Sequence, residues 1–83
     1  MIADEMRDRL GALNPTRLDI IDESEGHRGH AGFREGGESH FRIRMASAEF
    51  AGKGRLAQHR MVHAALGDIV PRIHALALEL AES

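Results

Sequence analysis

The sequence has no cysteine, no tyrosine and no tryptophan among its 83 residues. Without cysteine, the chain has no disulfide, thiolate metal site or cysteine nucleophile of its own, and any metal must be bound by histidine or carboxylate side chains. Three phenylalanines offer little surface for stacking on nucleic-acid bases. The longest apolar stretch, residues 73–78, is interrupted by His74 and is far shorter than the roughly 20 residues of a membrane-spanning helix.

Positive charge is not in excess either, since the formal net charge is −2. This balance argues against a strongly basic nucleic-acid binder but leaves room for a local basic patch. The first six residues lack the charged-then-apolar pattern of an export signal. No nucleophilic side chain stands near a basic one at a sequence spacing that would indicate a catalytic pair. We therefore expect a soluble, cytoplasmic protein that does not enter membranes and is not an enzyme.

Hydrophobic periodicity predicts five elements in one domain of residues 1–83. Their order is α-β-β-α-β, and a glycine-rich loop of residues 24–37 joins the first two strands. Such an order favours an α+β fold with a three-stranded mixed sheet and both helices packed on one face. The predicted helices are residues 2–13 and 50–70, and the predicted strands are residues 17–22, 39–45 and 73–80.

The second helix carries the longest apolar arc, with His59 in its middle and Met61 on the opposite face. We expect His59 to be a core histidine hydrogen-bonded to a carbonyl or carboxylate group. The second strand alternates, with His40 and the two arginines on the side expected to face water. The apolar arc of the helix consists of Leu56, Val62, Leu66, Ile69 and Val70.

Histidines gather at one predicted end of the sheet. A helical crossover joins parallel strands and is almost always right-handed, so the third strand must begin where the second begins, beside the glycine loop. His74 should therefore lie near His27 and His30. Neutral imidazoles are common metal ligands, and the alternative is that the loop histidines are solvated while His74 bonds a backbone group. Zinc bound by these three histidines is a further alternative.

A second candidate site precedes the second helix, in Gly52-Lys-Gly-Arg55, and continues to Arg60. Glycines ahead of a helix expose amide groups to an anion, and the helix dipole favours negative charge at that end. A phosphate group is one candidate ligand for Lys53, Arg55 and Arg60. A solvated turn is the alternative.

Six short motifs in fixed order make the chain similar to the BolA family over residues 10–80. This resemblance implies an α+β fold like that of class II KH domains. It does not rest on any single motif but on the order and spacing of all six. They are Asp22-Glu-Ser24, Gly26-His27, Glu38-Ser-His-Phe41, Phe50-x-Gly52-Lys53, His59-Arg60-x-Val62 and Ile73-His-Ala-Leu76.

The resemblance implies a partner protein, since BolA-like proteins form heterodimers with monothiol glutaredoxins that hold a bridged [2Fe-2S] cluster. In such pairs the glutaredoxin cysteine and glutathione supply thiolates, and the BolA-like chain supplies two side chains. Carried over to this sequence, the iron ligands are His74 and His27, with His30 as the alternative loop ligand. The isolated chain is a candidate homodimer.

The family also includes transcription regulators that bind DNA through the KH-like face, and this implies DNA contact near Lys53, Arg55 and Arg60. Two departures weaken that expectation. Gln58 stands where an arginine usually precedes the His-Arg pair, and the sequence ends at Ser83, without the final helix of many relatives. Neither departure affects the two proposed ligands.

Overall fold

The computed structural model describes all residues from Met1 to Ser83. Helix α1 spans Ile2–Leu10 and helix α2 spans Arg55–Leu66. The strands are β1, Arg17–Asp22, β2, His40–Ala46, and β3, Ala75–Ala81. The element order confirms the expected α+β arrangement. No helix has both the length and the apolar character needed to cross a membrane.

The sheet is mixed and has the strand order β1-β2-β3. Strand β1 pairs antiparallel with β2, and β3 pairs parallel with β2, as expected for a hairpin followed by a helical crossover. His40 is in register with Ala75, so both strands start at the same end of the sheet. The glycine loop enters β2 at that end as well. The prediction that the glycine loop lies beside the starts of β2 and β3 is therefore confirmed.

One face of the sheet packs against both helices. Spacings of four residues place Ile2, Met6 and Leu10 of α1 on a single buried stripe. The opposite face of the sheet carries charge, where Arg42 bonds Glu23 and Glu79. The core consists of Ile2, Met6, Leu10, Phe41, Ile43, Met45, Phe50, Val62, Leu66, Ile69 and Ile73.

Both helices are shorter than the sequence predicts. After Leu10 the chain continues as a short 3-10 helix, Gly11–Leu13, and after Leu66 it continues as another, Gly67–Arg72. Glycine stands at both transitions, and it is a poor former of helix interiors. Gly67 adopts a φ of 55°, which an α-helix cannot accommodate.

The predicted apolar arc of α2 is wrong at its start. Leu56 is 63% exposed, because the helix begins at Arg55 and its first turn extends beyond the core. Met61, expected on the solvent face, instead packs against the core cluster. The expected burial of Val62, Leu66 and Ile69 is confirmed.

Candidate metal centre

Three imidazole rings meet where the glycine loop reaches the sheet. The ring of His27 stacks on that of His40, with centroids 4.0 Å apart and planes 11° apart. The ring of His74 lies 5.1 Å from that of His40 at 51°. His30 is more peripheral and meets only His27, edge to face, at 6.0 Å. His27 of the loop and His74 at the strand entrance, the two residues expected from the sequence, thus both contact the ring of His40.

Strand alternation predicts that His40 faces water, and that prediction is wrong. Its side chain is only 4% exposed, because it sits at the first position of the strand, where the loop and the entrance to β3 cover it. Its Nδ1 lies 2.8 Å from the Ser39 hydroxyl. Burial lowers the pKa of His40, and the neighbouring His27 and His74 lower it further. Only the proximity of a third imidazole, which strand alternation does not reveal, identifies this residue.

The loop begins with a short 3-10 helix, Ser24–His27, which fixes the position of His27. The Ser24 hydroxyl accepts hydrogen bonds from the backbone N–H groups of Ser39 at 3.0 Å and His40 at 3.1 Å. It also donates to the Asp22 carboxylate. The end of β1, the start of the loop and the start of β2 are therefore joined through one buried hydroxyl.

Asp22, the last residue of β1, also bonds to both ends of the glycine loop. Its Oδ2 accepts a hydrogen bond from the Glu38 N–H at 3.0 Å, and its Oδ1 accepts one from the Ser24 N–H at 2.9 Å. Burial raises the pKa of Asp22, but the hydrogen bonds from Ser24 and Glu38 outweigh that effect, and the pKa lies below its usual value. The Asp22-Glu-Ser24 and Glu38-Ser-His-Phe41 motifs therefore act together as a clamp on the loop ends.

The middle of the loop lies against His74. A Cβ atom built on Gly32 would stand 2.1 Å from Cγ of His74, so this glycine provides the space that the ring occupies. The Arg34 guanidinium donates to the Arg72 carbonyl at 2.8 Å and ties the loop to the chain just before His74. On the other side, the His74 N–H donates to the Ser39 carbonyl at 2.8 Å. The loop is braced at its contact with the strand entrance.

The arrangement offers ligands but not a complete metal site. No group of three or more histidine, aspartate and glutamate side chains is arranged to hold a metal ion. The zinc alternative therefore has no preformed site made of His27, His30 and His74. His74 is exposed and His27 is half-buried, so both remain within reach of a second molecule. The structure alone therefore offers two accessible imidazoles, His27 and His74, and no complete metal site.

The candidate phosphate site has a different character. Lys53, Arg55 and Arg60 are exposed, and none of them forms an ion pair in the structure. The Gln58 side chain donates hydrogen bonds to the carbonyls of Phe50 at 3.3 Å and Lys53 at 3.0 Å. It stabilises the turn before α2. The three cations stay unpaired around that turn.

The prediction for His59 is wrong. It is half-buried and lines an open cleft of about 420 Å³ between α2 and the edge of the sheet, together with Arg55. It makes no side-chain hydrogen bond, although Glu79 of β3 lines the same cleft. The reason is that α2 makes few contacts with β3, and this leaves the side of the helix that carries His59 beside an open cleft.

Comparison with known proteins agrees with this architecture. The model of the BolA family, described as "BolA-like protein", matches residues 10–83. The chain belongs to the BolA family. BolA-like protein 1 of Bos taurus is 42% identical over 69 residues, which cover 82% of this chain and 48% of that protein. The chain thus spans about half the length of that relative.

Two further family members extend the comparison. The DNA-binding transcriptional regulator BolA of Escherichia coli is 36% identical over 80 residues, which cover 94% of this chain and 72% of that protein. The solved structure of BolA1 from Arabidopsis thaliana superposes with a TM-score of 0.82 at 30% identity, covering 99% of this chain and 92% of that one. The names of these relatives describe no enzyme activity. The family membership and the fold expected from the motifs are confirmed.

Proposed function

We propose that this BolA-family protein forms a heterodimer with a monothiol glutaredoxin and shares a [2Fe-2S] cluster with it, in cluster trafficking or iron-dependent regulation. The observation that carries the proposal is that the rings of His27 and His74 both contact the buried ring of His40. The cytoplasmic location and the homodimer of the isolated chain stay predictions.

The donor set fits a shared cluster. Two accessible imidazoles and no cysteine leave half of a four-ligand site to be supplied from outside. The glutaredoxin cysteine and glutathione supply the missing thiolates in this proposal. Mixed imidazole and thiolate ligation raises the reduction potential of a cluster relative to four thiolates. The gap at Gly32 lets the loop approach the His74 ring without a steric clash.

The protein's own contribution is to hold two imidazoles in place. The loop clamp at Asp22 and Ser24 fixes the segment that carries His27. The bond from the His74 N–H to the Ser39 carbonyl fixes the other ligand. His30 is exposed and one turn further along the loop, and it is the alternative ligand if the loop shifts on binding.

Mixing the protein with cluster-loaded glutaredoxin and glutathione tests this proposal. We expect the visible spectrum to shift toward that of histidine-ligated iron, and we expect His74→Ala to abolish the shift. Replacing His27 and His30 by alanine in separate variants identifies the loop ligand by which variant loses the shift. His63→Ala, which alters an exposed histidine of α2, is the control. An unchanged spectrum with the wild-type protein would contradict the proposal.

A second candidate function is DNA binding through the segment before α2. It is favoured by three exposed cations without ion-pair partners, Lys53, Arg55 and Arg60, and by the name of the Escherichia coli relative. The exposed amide groups at the start of α2 add further positive potential toward a phosphate. The absence of tyrosine and tryptophan favours backbone contacts over base stacking.

Salt dependence tests this second function. If three phosphates are contacted, the affinity for duplex DNA should fall with a slope of about −3 in log K against log salt. The triple variant Lys53→Gln, Arg55→Gln and Arg60→Gln should lose most of that slope. Arg17→Gln removes a cation that is already paired with Asp19 and is the control. Binding that survives the triple variant, or no retention at low salt, would argue against this function.

A further inference from the structure

The most buried ring of the site belongs to a residue that has no role in the proposal so far. His40 is 4% exposed, and its Nδ1 is engaged by the Ser39 hydroxyl at 2.8 Å. Its backbone N–H donates to the buried Ser24 hydroxyl, and its strand position is fixed by pairing with Ala75. Both the backbone and the ring of His40 are therefore held by the fold itself.

This fixed ring contacts both accessible imidazoles. His27 lies parallel to it at 4.0 Å, and His74 lies against it at 5.1 Å. The two outer rings come from different segments, the loop after β1 and the chain before β3. Because the rings of His27 and His74 both contact the ring of His40, their positions relative to each other depend on that ring.

We propose that His40 is a positioning residue, whose buried ring sets the spacing and orientation of His27 and His74 without binding iron itself. The inference rests on the proposed function, since the two outer histidines are the ligands of that proposal. Burial and the bond to Ser39 leave little of this ring accessible to a second molecule. Its planar shape, stacked on His27, is the property that matters.

Two replacements separate packing from ligation. His40→Phe keeps a flat ring that can stack on His27 but has no nitrogen to bind iron. His40→Ala removes the ring altogether. In the complex with cluster-loaded glutaredoxin, we expect His40→Ala to weaken cluster binding by about 10–100-fold and to alter the visible spectrum. We expect His40→Phe to restore the wild-type spectrum and most of the affinity.

A second measurement tests the inference on the isolated protein, without the cluster or a partner. In imidazole ¹H–¹⁵N correlation spectra, His40→Ala should move the ring signals of both His27 and His74. His63→Ala should move neither. Ser39→Ala, which frees the His40 ring but leaves it in place, should give smaller shifts in the same direction. If circular dichroism shows that His40→Ala does not fold, Ser39→Ala replaces it in this test.

The outcomes are distinct. Unmoved His27 and His74 signals in His40→Ala overturn the inference, and so does a wild-type spectrum of its complex. If His40→Phe and His40→Ala lose the histidine-ligated spectrum to the same extent, His40 is a ligand and the positioning role is wrong. If the wild-type protein takes up no cluster but the ring signals move as expected, the proposed function fails while the packing role of His40 stands.

Discussion

Phe50→Ala is expected to lower the free energy of unfolding by about 3–5 kcal/mol. The side chain is fully buried in a short 3-10 helix, Ala48–Phe50, between β2 and α2. It is the largest of the completely buried side chains, and its removal leaves a cavity that the short connecting segment cannot fill. A chain of 83 residues has a total stability of roughly 4–12 kcal/mol, so the variant should lose a large fraction of its stability and unfold at a clearly lower temperature than the wild type.

The matched control for this prediction is Leu56→Ala. The sequence pattern puts Leu56 in the core, whereas the structure leaves it 63% exposed. We expect its replacement to change the stability by no more than about 0.5 kcal/mol. Urea unfolding followed by circular dichroism measures both values. A loss of stability in Leu56→Ala as large as that in Phe50→Ala would contradict the placement of the core.

Gly32→Ala is expected to change the environment of His74 and to weaken cluster binding by about 10–100-fold. Gly32 has a φ of +80°, and an added Cβ would approach ring atoms of His74 to 2.1–2.3 Å. The loop or the ring must move, because no rotation of a methyl group relieves a contact this short. Either movement separates the loop from the strand entrance.

Gly29→Ala isolates the steric effect from the backbone effect. Gly29 has nearly the same φ, +82°, but an added Cβ there meets nothing within 4 Å. Both variants carry the cost of placing an L-residue in the left-handed region, about 1–2 kcal/mol, and both should lose stability to a similar degree. Only Gly32→Ala should shift the imidazole signals of His74. Equal shifts of those signals in the two variants would show that the contact with His74 is not the cause.

The sequence was sufficient to predict the architecture because local patterns agree with the topology. Alternation identified β2, the spacing of Ile2, Met6 and Leu10 identified α1, and the crossover rule put His74 beside the glycine loop. The loop itself could not be built from its sequence. Its shape depends on the Asp22 carboxylate and the Ser24 hydroxyl, which bond to residues 15 or 16 positions further along the chain.

The errors at His40 and His59 have a common origin. Alternation and helical periodicity report which side of an element a residue occupies, but not whether that side is covered at that position. At the start of β2 the loop covers the outer side, and His40 is buried. At the start of α2 the helix does not close onto the edge of the sheet, and His59 faces an open cleft between them. The side that a residue occupies and its actual burial therefore disagree mainly at the ends of helices and strands.

The clamp at the ends of the loop has a consequence for how the site can change over time. Asp22 and Ser24 on one side, and Glu38 and Ser39 on the other, close the loop without help from the residues between them. Changing the number of residues in a closed loop costs little, since the entropy of closure depends only weakly on length. Insertions or deletions within residues 28–36 should therefore be tolerated without loss of the sheet.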